Sequence, residues 1–202
     1  MRADLPAEFS RVGQESLPRL MSTVAQMDPI APEAIARRLE LGRQCFTAQV
    51  EGIIAAYGWL TRGPEYVGEF ERELRVGEGE AYIWDCATSP GYRRQRLFSA
   101  LLAHITACSR QEGIRRLWII GVIAAEEINH GVAEAGFQPV MRLGYLRLDK
   151  RRLLALTPAR EASAQELASA RRLLEAEGDR AYGSLLLGNS ARPRPPDTHF
   201  DG

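Results

Sequence analysis

Lysine is nearly absent from this 202-residue chain: of its 26 basic side chains, all but Lys150 are arginine. The bias is compositional, so any one arginine carries less weight than it would in a mixed chain. Net charge is missing too. The 26 acidic side chains cancel the basic ones, so no overall basic excess draws the molecule to phosphodiester backbones, and nucleic acid is not an expected partner. Long apolar runs are lacking. The longest, Leu117 to Ala125, falls far short of the ~20 residues a membrane helix needs, so no membrane partner is expected. The opening residues Met1-Arg2-Ala3-Asp4-Leu5-Pro6 hold no stretch of signal-peptide type. Cysteines are few: Cys45, Cys86 and Cys108 are odd in number and widely spaced. That argues against a disulfide framework and a zinc site and points to a reducing cytoplasm. No metal is expected, since His104 and His130 have no partners at ligand spacing. Internal repeats and a Gly-x-Ser-x-Gly elbow are absent as well.

What remains is a globular composition, 45% apolar and 26% charged, in a chain long enough for one cored domain with a short appendage. The pattern predicts a first strand over Glu8 to Val12 and helices over Leu17 to Ala25 and Pro32 to Leu41, the second ended by Gly42. Two strands, Cys45 to Val50 and Ile53 to Leu60, flank a Glu51-Gly52 hairpin turn. Tyr66 to Arg75 reads as extended. A strand over Ala81 to Thr88 ends at Pro90. An amphipathic helix then begins near Arg93, with Phe98, Leu101, Leu102, Ile105 and Cys108 on one face. Leu117 to Val122 reads as a buried strand, Ala124 to Ala135 as a helix, and Phe137 to Leu148 with Arg152 to Leu156 as closing strands. Thr157-Pro158 reads as the start of a further helix that Gly178 ends, and Asn189 to Gly202 as a disordered tail. The order implies an α+β fold with one strand-helix-strand crossover in its middle.

The informative stretch runs from Ala81 to Leu102. A strand passes through a short loop into a helix start bearing Arg93, Arg94 and Arg96. The first turn of a helix offers unpaired N–H groups and a partial positive charge, a setting for a phosphate or pyrophosphate. An ordinary crossover with solvated arginines accounts for the same residues equally well.

These residues resemble the GCN5-related N-acetyltransferase (GNAT) superfamily. The resemblance covers roughly Phe9 to Leu156 in element order, with recognisable motifs in Glu80 to Leu102 and at Gly136-Phe137. It implies a mixed, mostly antiparallel sheet, an α/β three-layer arrangement with helices on both faces, and an acyltransferase domain over residues 1–157. A helical extension would follow over 158–188, covering a sheet face or forming a homodimer contact, then a tail over 189–202. In the family a bulged strand precedes Arg/Gln-x-x-Gly-x-Gly/Ala; the strand pairs with the pantetheine arm of acyl-CoA and the loop N–H groups hold its pyrophosphate. Carried over, the strand positions are Asp85, Cys86, Ala87 and Thr88. The loop is Arg93, Arg94, Gln95, Arg96, Leu97 and Phe98, followed by Ser99. The implied activity is transfer of an acetyl or other short acyl group from acetyl-CoA, as co-substrate, to a primary amine of a small molecule or protein.

Several positions depart from the family. Arg96 stands at the first motif glycine and Phe98 at the Gly/Ala position. Arg96 is tolerable if it sits at helical φ with its side chain turned outward. Ala125 and Val132 occupy the places of a cofactor-contacting asparagine and a general-acid tyrosine. Asn129, one turn later, is the nearest substitute for the first, and Tyr145 on the closing strands for the second. For the general base, Glu80 shares a strand face with Tyr82, where some members carry a glutamate, and Glu69 approaches from the neighbouring segment. Strand alternation points Asp85 to the opposite face. Cys86 is the one candidate for a covalent nucleophile. These departures keep open a catalytically degenerate acyl-CoA-binding or regulatory module of the same fold.

Overall fold

The computed structural model describes residues 2–27, 31–121, 126–148 and 151–174. Its centre is a hairpin. Strands β2 (Gln44–Val50) and β3 (Ile53–Thr61) meet at Glu51-Gly52, both at positive φ, 50° and 78°. Two left-handed residues make the turn whose twist matches that of the flanking strands, with Val50 opposite Ile53. Outside β2 lies β1 (Glu8–Arg11), antiparallel to it. On the other side β3 pairs antiparallel with β6 (Glu80–Thr88), and β6 pairs parallel with β7 (Arg116–Ile119). The five-stranded order is β1-β2-β3-β6-β7. The single parallel pair needs a crossover, supplied by helix α3 (Leu97–Gln111).

Each face of this sheet is covered. Helices α1 (Leu17–Met27) and α2 (Pro32–Glu40) bring Leu20, Val24 and Ile35 onto Cys45, Tyr57 and Trp59. On the other face Leu97, Leu101, Leu102 and Ile105 of α3 bury against Phe46, Leu60, Ala81 and Ile83. Helix α4 (Glu126–Glu134) adds Val132 beside them. Each large apolar side chain taken fully from water contributes about 1.5–3 kcal/mol. The two layers of helix clamp the middle of the sheet and leave the strand ends to the loops.

Residues 1–66 and 73–138 form one compact unit, and residues 67–72 with 139–202 a second. Tyr66 to Arg75 is not one extended segment. Strand β4 (Glu65–Val67) is followed by a 3-10 turn over Gly68–Phe70, and Glu71 at φ 49° turns the chain into β5 (Arg72–Leu74). In the second unit β8 (Met141–Leu148) and β9 (Arg151–Pro158) pair as an antiparallel hairpin. Arg147 meets Glu71 at 2.9 Å.

Thr157-Pro158 closes β9 and does not start a helix, because Thr157 is held in the ladder opposite Arg142. The last described helix, α5 (Ala164–Leu174), starts instead at a capping box. The Ser163 hydroxyl accepts from the Glu166 N–H at 3.3 Å, and the Glu166 carboxylate accepts from the Ser163 N–H at 2.8 Å. Arg72 donates to the Leu174 carbonyl at 2.8 Å. The predicted helix stop at Gly178 and the tail from Asn189 lie outside the described residues.

Candidate active site

The C-terminal half of β6 is bent by a bulge. Tyr57 pairs with Ala87 but Trp59 with Trp84, so two steps on β3 face three on β6. The extra residue is absorbed at Asp85, whose φ is 44°, a left-handed conformation that aspartate tolerates better than most. Across from it, a Cβ on Gly58 would meet Cys86 Sγ at 2.8 Å. A glycine inside a strand often marks such a close approach.

The bulge overturns the alternation expected for Asp85. Its carboxylate pairs with Arg38 of α2, and the Arg38 guanidinium lies over the rings of Trp84 and Trp59, 4.6 and 5.1 Å from their centroids. Asp85 therefore shares the α1–α2 face with Trp84. Cys86 turns to the α3 face, where its thiol donates to the Trp84 carbonyl at 3.6 Å. Burial first, and the Asp85 charge second, push that thiol up to about 12. It stays protonated near neutral pH and is a poor nucleophile. Burial likewise raises the Cys45 thiol.

Beyond Thr88 the chain makes a 3-10 turn over Pro90–Tyr92, and helix α3 begins at Leu97, not near Arg93. Two left-handed residues delay it. Arg94 has φ 62°, and Arg96, at the cap of α3, has φ 54° and ψ 17°. The loop curls as anion-binding backbone nests do, ahead of the first-turn N–H groups of Leu97, Phe98 and Ser99, which have no intrahelical acceptor. This backbone fits a pyrophosphate at the positive end of α3. Arg93 Nε donates to the Thr88 carbonyl at 3.5 Å, and the Gln95 carbonyl accepts from the Asp4 N–H at 3.0 Å.

Arg96 thus does not sit at helical φ. The position demands a left-handed residue, which explains conformationally why the resembling family prefers glycine there. Its side chain does turn outward, reaching Glu134 of α4 at 2.9 Å. Phe98 fits because α4 gives way: a Cβ on Gly131 would lie 2.8 Å from Phe98 Cδ1. Asn129 Oδ1 would be 2.9 Å from a Cβ on Gly121, which puts the Asn129 side chain just beyond the end of β7. Val132 is partly buried against the core, and Ala125 lies outside the described residues.

The three acid-base candidates fall on two different units. Glu80 stands at the start of β6, eight residues and about 26 Å of strand from Thr88. Its carboxylate accepts from Arg116 and from Trp118 Nε1, both at 2.8 Å, so it ties β6 to β7 and is no free base. Glu69 is exposed in the 3-10 turn, not on a strand. Tyr145 pairs with Leu154 in the β8–β9 hairpin, and its hydroxyl is buried with no hydrogen-bond partner among the described residues. Both Glu69 and Tyr145 belong to the second unit. Among the described residues no cluster of histidine, cysteine and carboxylate side chains is placed to hold a metal, and no helix is long and apolar enough to cross a membrane.

Residues 14–137, more than half the chain, match the acetyltransferase (GNAT) family. The chain belongs to the GNAT acetyltransferase family. Its fold is that of solved GNAT enzymes. The aminoglycoside acetyltransferase AAC(6')-Iy, in complex with the bisubstrate analogue CoA-S-monomethyl-acetylneamine, superposes with TM-score 0.57 at 13% identity, over 71% of this chain and 98% of that one. The aminoglycoside acetyltransferase meta-AAC0020 from an uncultured soil metagenomic sample, in complex with sisomicin, gives 0.53 at 15%, over 72% and 97%. No curated protein matches the sequence.

Sequence reasoning missed Arg38, Trp59 and Glu134 as neighbours of the β6–α3 segment. Two glycines were the available signals: Gly58 within a strand and Gly131 within a helix each mark a place where another side chain comes close.

Proposed function

We propose that this protein is a cytoplasmic N-acyltransferase that binds acetyl-CoA, or another short acyl-CoA, along Asp85 to Thr88 and Arg93 to Ser99. The observation that carries the reading is the continuous path from the bulge of β6, through the left-handed residues Arg94 and Arg96, to the start of α3. A strand N–H at the bulge would polarise the thioester carbonyl, and the first-turn N–H groups would hold the pyrophosphate. Asn129 at the end of β7 would contact the same ligand.

Because the Cys86 thiol is held protonated, the acceptor attacks directly. The nitrogen of a neutral primary amine bonds to the acyl carbon, the carbon–sulfur bond breaks, and the amine proton goes to solvent as CoA leaves as a thiol or thiolate. Holding the two reactants together would supply much of the rate. A small amine is the acceptor class favoured here, in keeping with the aminoglycoside enzymes of like fold.

Titration calorimetry with acetyl-CoA tests the site. Binding is expected, and none at millimolar ligand would overturn the reading. A thiol-release assay over a panel of primary amines tests the transfer. Val132 in the place of the family's tyrosine favours one alternative, an acyl-CoA-binding module, for which binding would occur without release of thiol.

A further inference from the structure

The least expected feature beside the proposed acyl site is an arginine lying over two adjacent indoles on the α1–α2 face. Asp85 is the residue that absorbs the bulge of β6, at φ 44°. Its carboxylate is mostly buried, with a side chain 19% exposed, and its ion-pair partner Arg38 is 21% exposed. Arg38 does not come from the sheet. It projects from α2 and reaches Asp85 across two indoles, lying 4.6 Å from the centre of Trp84 and 5.1 Å from that of Trp59. The rings are themselves in contact, 6.0 Å apart and inclined by 33°. Trp59 is fully buried, and neither indole N–H has a partner among the described residues, so the guanidinium is met by the ring faces. Planar guanidinium groups suit such stacking, whereas an ammonium does not.

This arrangement over-determines one backbone angle. A left-handed non-glycine residue persists when its surroundings hold it there. The strand alone does not: β3 leaves room for the bulge through Gly58 but supplies Asp85 with no charge partner. We propose that Arg38 is a positioning residue for acyl transfer: from α2, resting over Trp59 and Trp84, it holds Asp85 and thereby aims the strand N–H groups of the bulge at the thioester carbonyl. The inference rests on the acyl-CoA reading given above. It makes a helix on the far side of the sheet from α3 part of the machinery that orients the acyl group. The pyrophosphate loop is set separately, by Arg94, Arg96 and the start of α3.

That separation defines the test. Calorimetry would compare acetyl-CoA with CoA, which has a free thiol in place of the acetyl thioester, on the full-length chain and on Arg38→Met, Arg38→Lys and Asp85→Asn. Arg38→Met is expected to weaken acetyl-CoA about tenfold more than CoA, the scale of one well-aligned hydrogen bond lost. Arg38→Lys keeps the charge but not the stacking fork and is expected to recover part of that difference. Asp85→Asn is nearly isosteric and gives the same answer should Arg38→Met fold poorly. An unchanged acetyl-CoA to CoA ratio in Arg38→Met and Asp85→Asn, whether both ligands weaken equally or neither does, would overturn this role while leaving the acyl-CoA site standing. Failure of the unaltered protein to bind either ligand would instead overturn the site, and this inference with it.

Discussion

At Arg96 one residue meets two opposed demands. A left-handed non-glycine residue costs about 1–2 kcal/mol, while an exposed ion pair such as that with Glu134 returns about 0–1 kcal/mol. Arg96→Gly removes both, so its stability should stay within about 1 kcal/mol of the parent by urea unfolding. Arg96→Ala keeps the strain and loses the pair, and should unfold more easily than Arg96→Gly by about 1 kcal/mol. An alanine variant as stable as the glycine one would refute the strain account. Acetyl-CoA affinity should survive in Arg96→Gly, since the backbone, not the guanidinium, is what shapes the loop. Gly58 poses a related case across the bulge. Gly58→Ala places a methyl 2.8 Å from Cys86 Sγ and should destabilise by about 1–3 kcal/mol, the usual cost of overpacking. Adding Cys86→Ala should restore part of the loss, a coupling that a double-mutant cycle reads directly.

Among the elements, α3 carries the clearest pH-sensitive group. His104 stacks on Phe9 with ring centres 5.7 Å apart and meets the edge of Phe46 at 6.1 Å. Its Nε2 lies 3.5 Å from Cys108 Sγ. Burial disfavours the imidazolium, so the folded pKa lies below the ordinary value of 6.5. The folded protein then binds fewer protons than the unfolded chain as pH falls from about 6.5 through that lowered value, and stability drops across this window. The urea midpoint should fall between pH 7.5 and 5.5, and fall less in His104→Gln; an equal fall in both would assign the pH dependence to other groups. The same scale shows what the sequence made legible. The Glu51-Gly52 hairpin and the crossover helix were readable because turn chemistry and helical spacing are local. Pro at a first helical position and Pro ending a strand look alike, so the start of α5 is marked by the capping box at Ser163 and Glu166 and not by Pro158. The direction of Asp85 was unreadable in principle: one inserted residue reverses alternation, and only pairing with β3 reveals it.

Across the whole molecule, zero net charge conceals local imbalance, with six arginines against Glu112 between Pro90 and Arg116. The fold spends part of that excess on structure, since Arg96 pairs with Glu134 and Arg116 with Glu80. The candidate site was legible as a segment, Ala81 to Leu102, but not as a site, because Arg38 reaches Asp85 from an element distant in sequence. Every strand, loop and helix residue assigned to acyl-CoA lies in the unit of residues 1–66 and 73–138, so the ligand should act on the stability of that unit. A ligand that binds only the folded state stabilises it by about 2.7 kcal/mol at one hundred times its Kd. For a domain of this size each kcal/mol moves Tm by about 2–4 °C, so saturating acetyl-CoA should raise the unfolding temperature by about 5–10 °C in a fluorescence melt. If the two units melt in separate transitions, the shift should follow the transition lost on substituting residues of that unit, for which the Gly58→Ala variant serves as the marker. A shift confined to the other transition would mean that acyl-CoA is held by the β8–β9 unit, and the assignment of Asp85 to Ser99 as its site would be wrong.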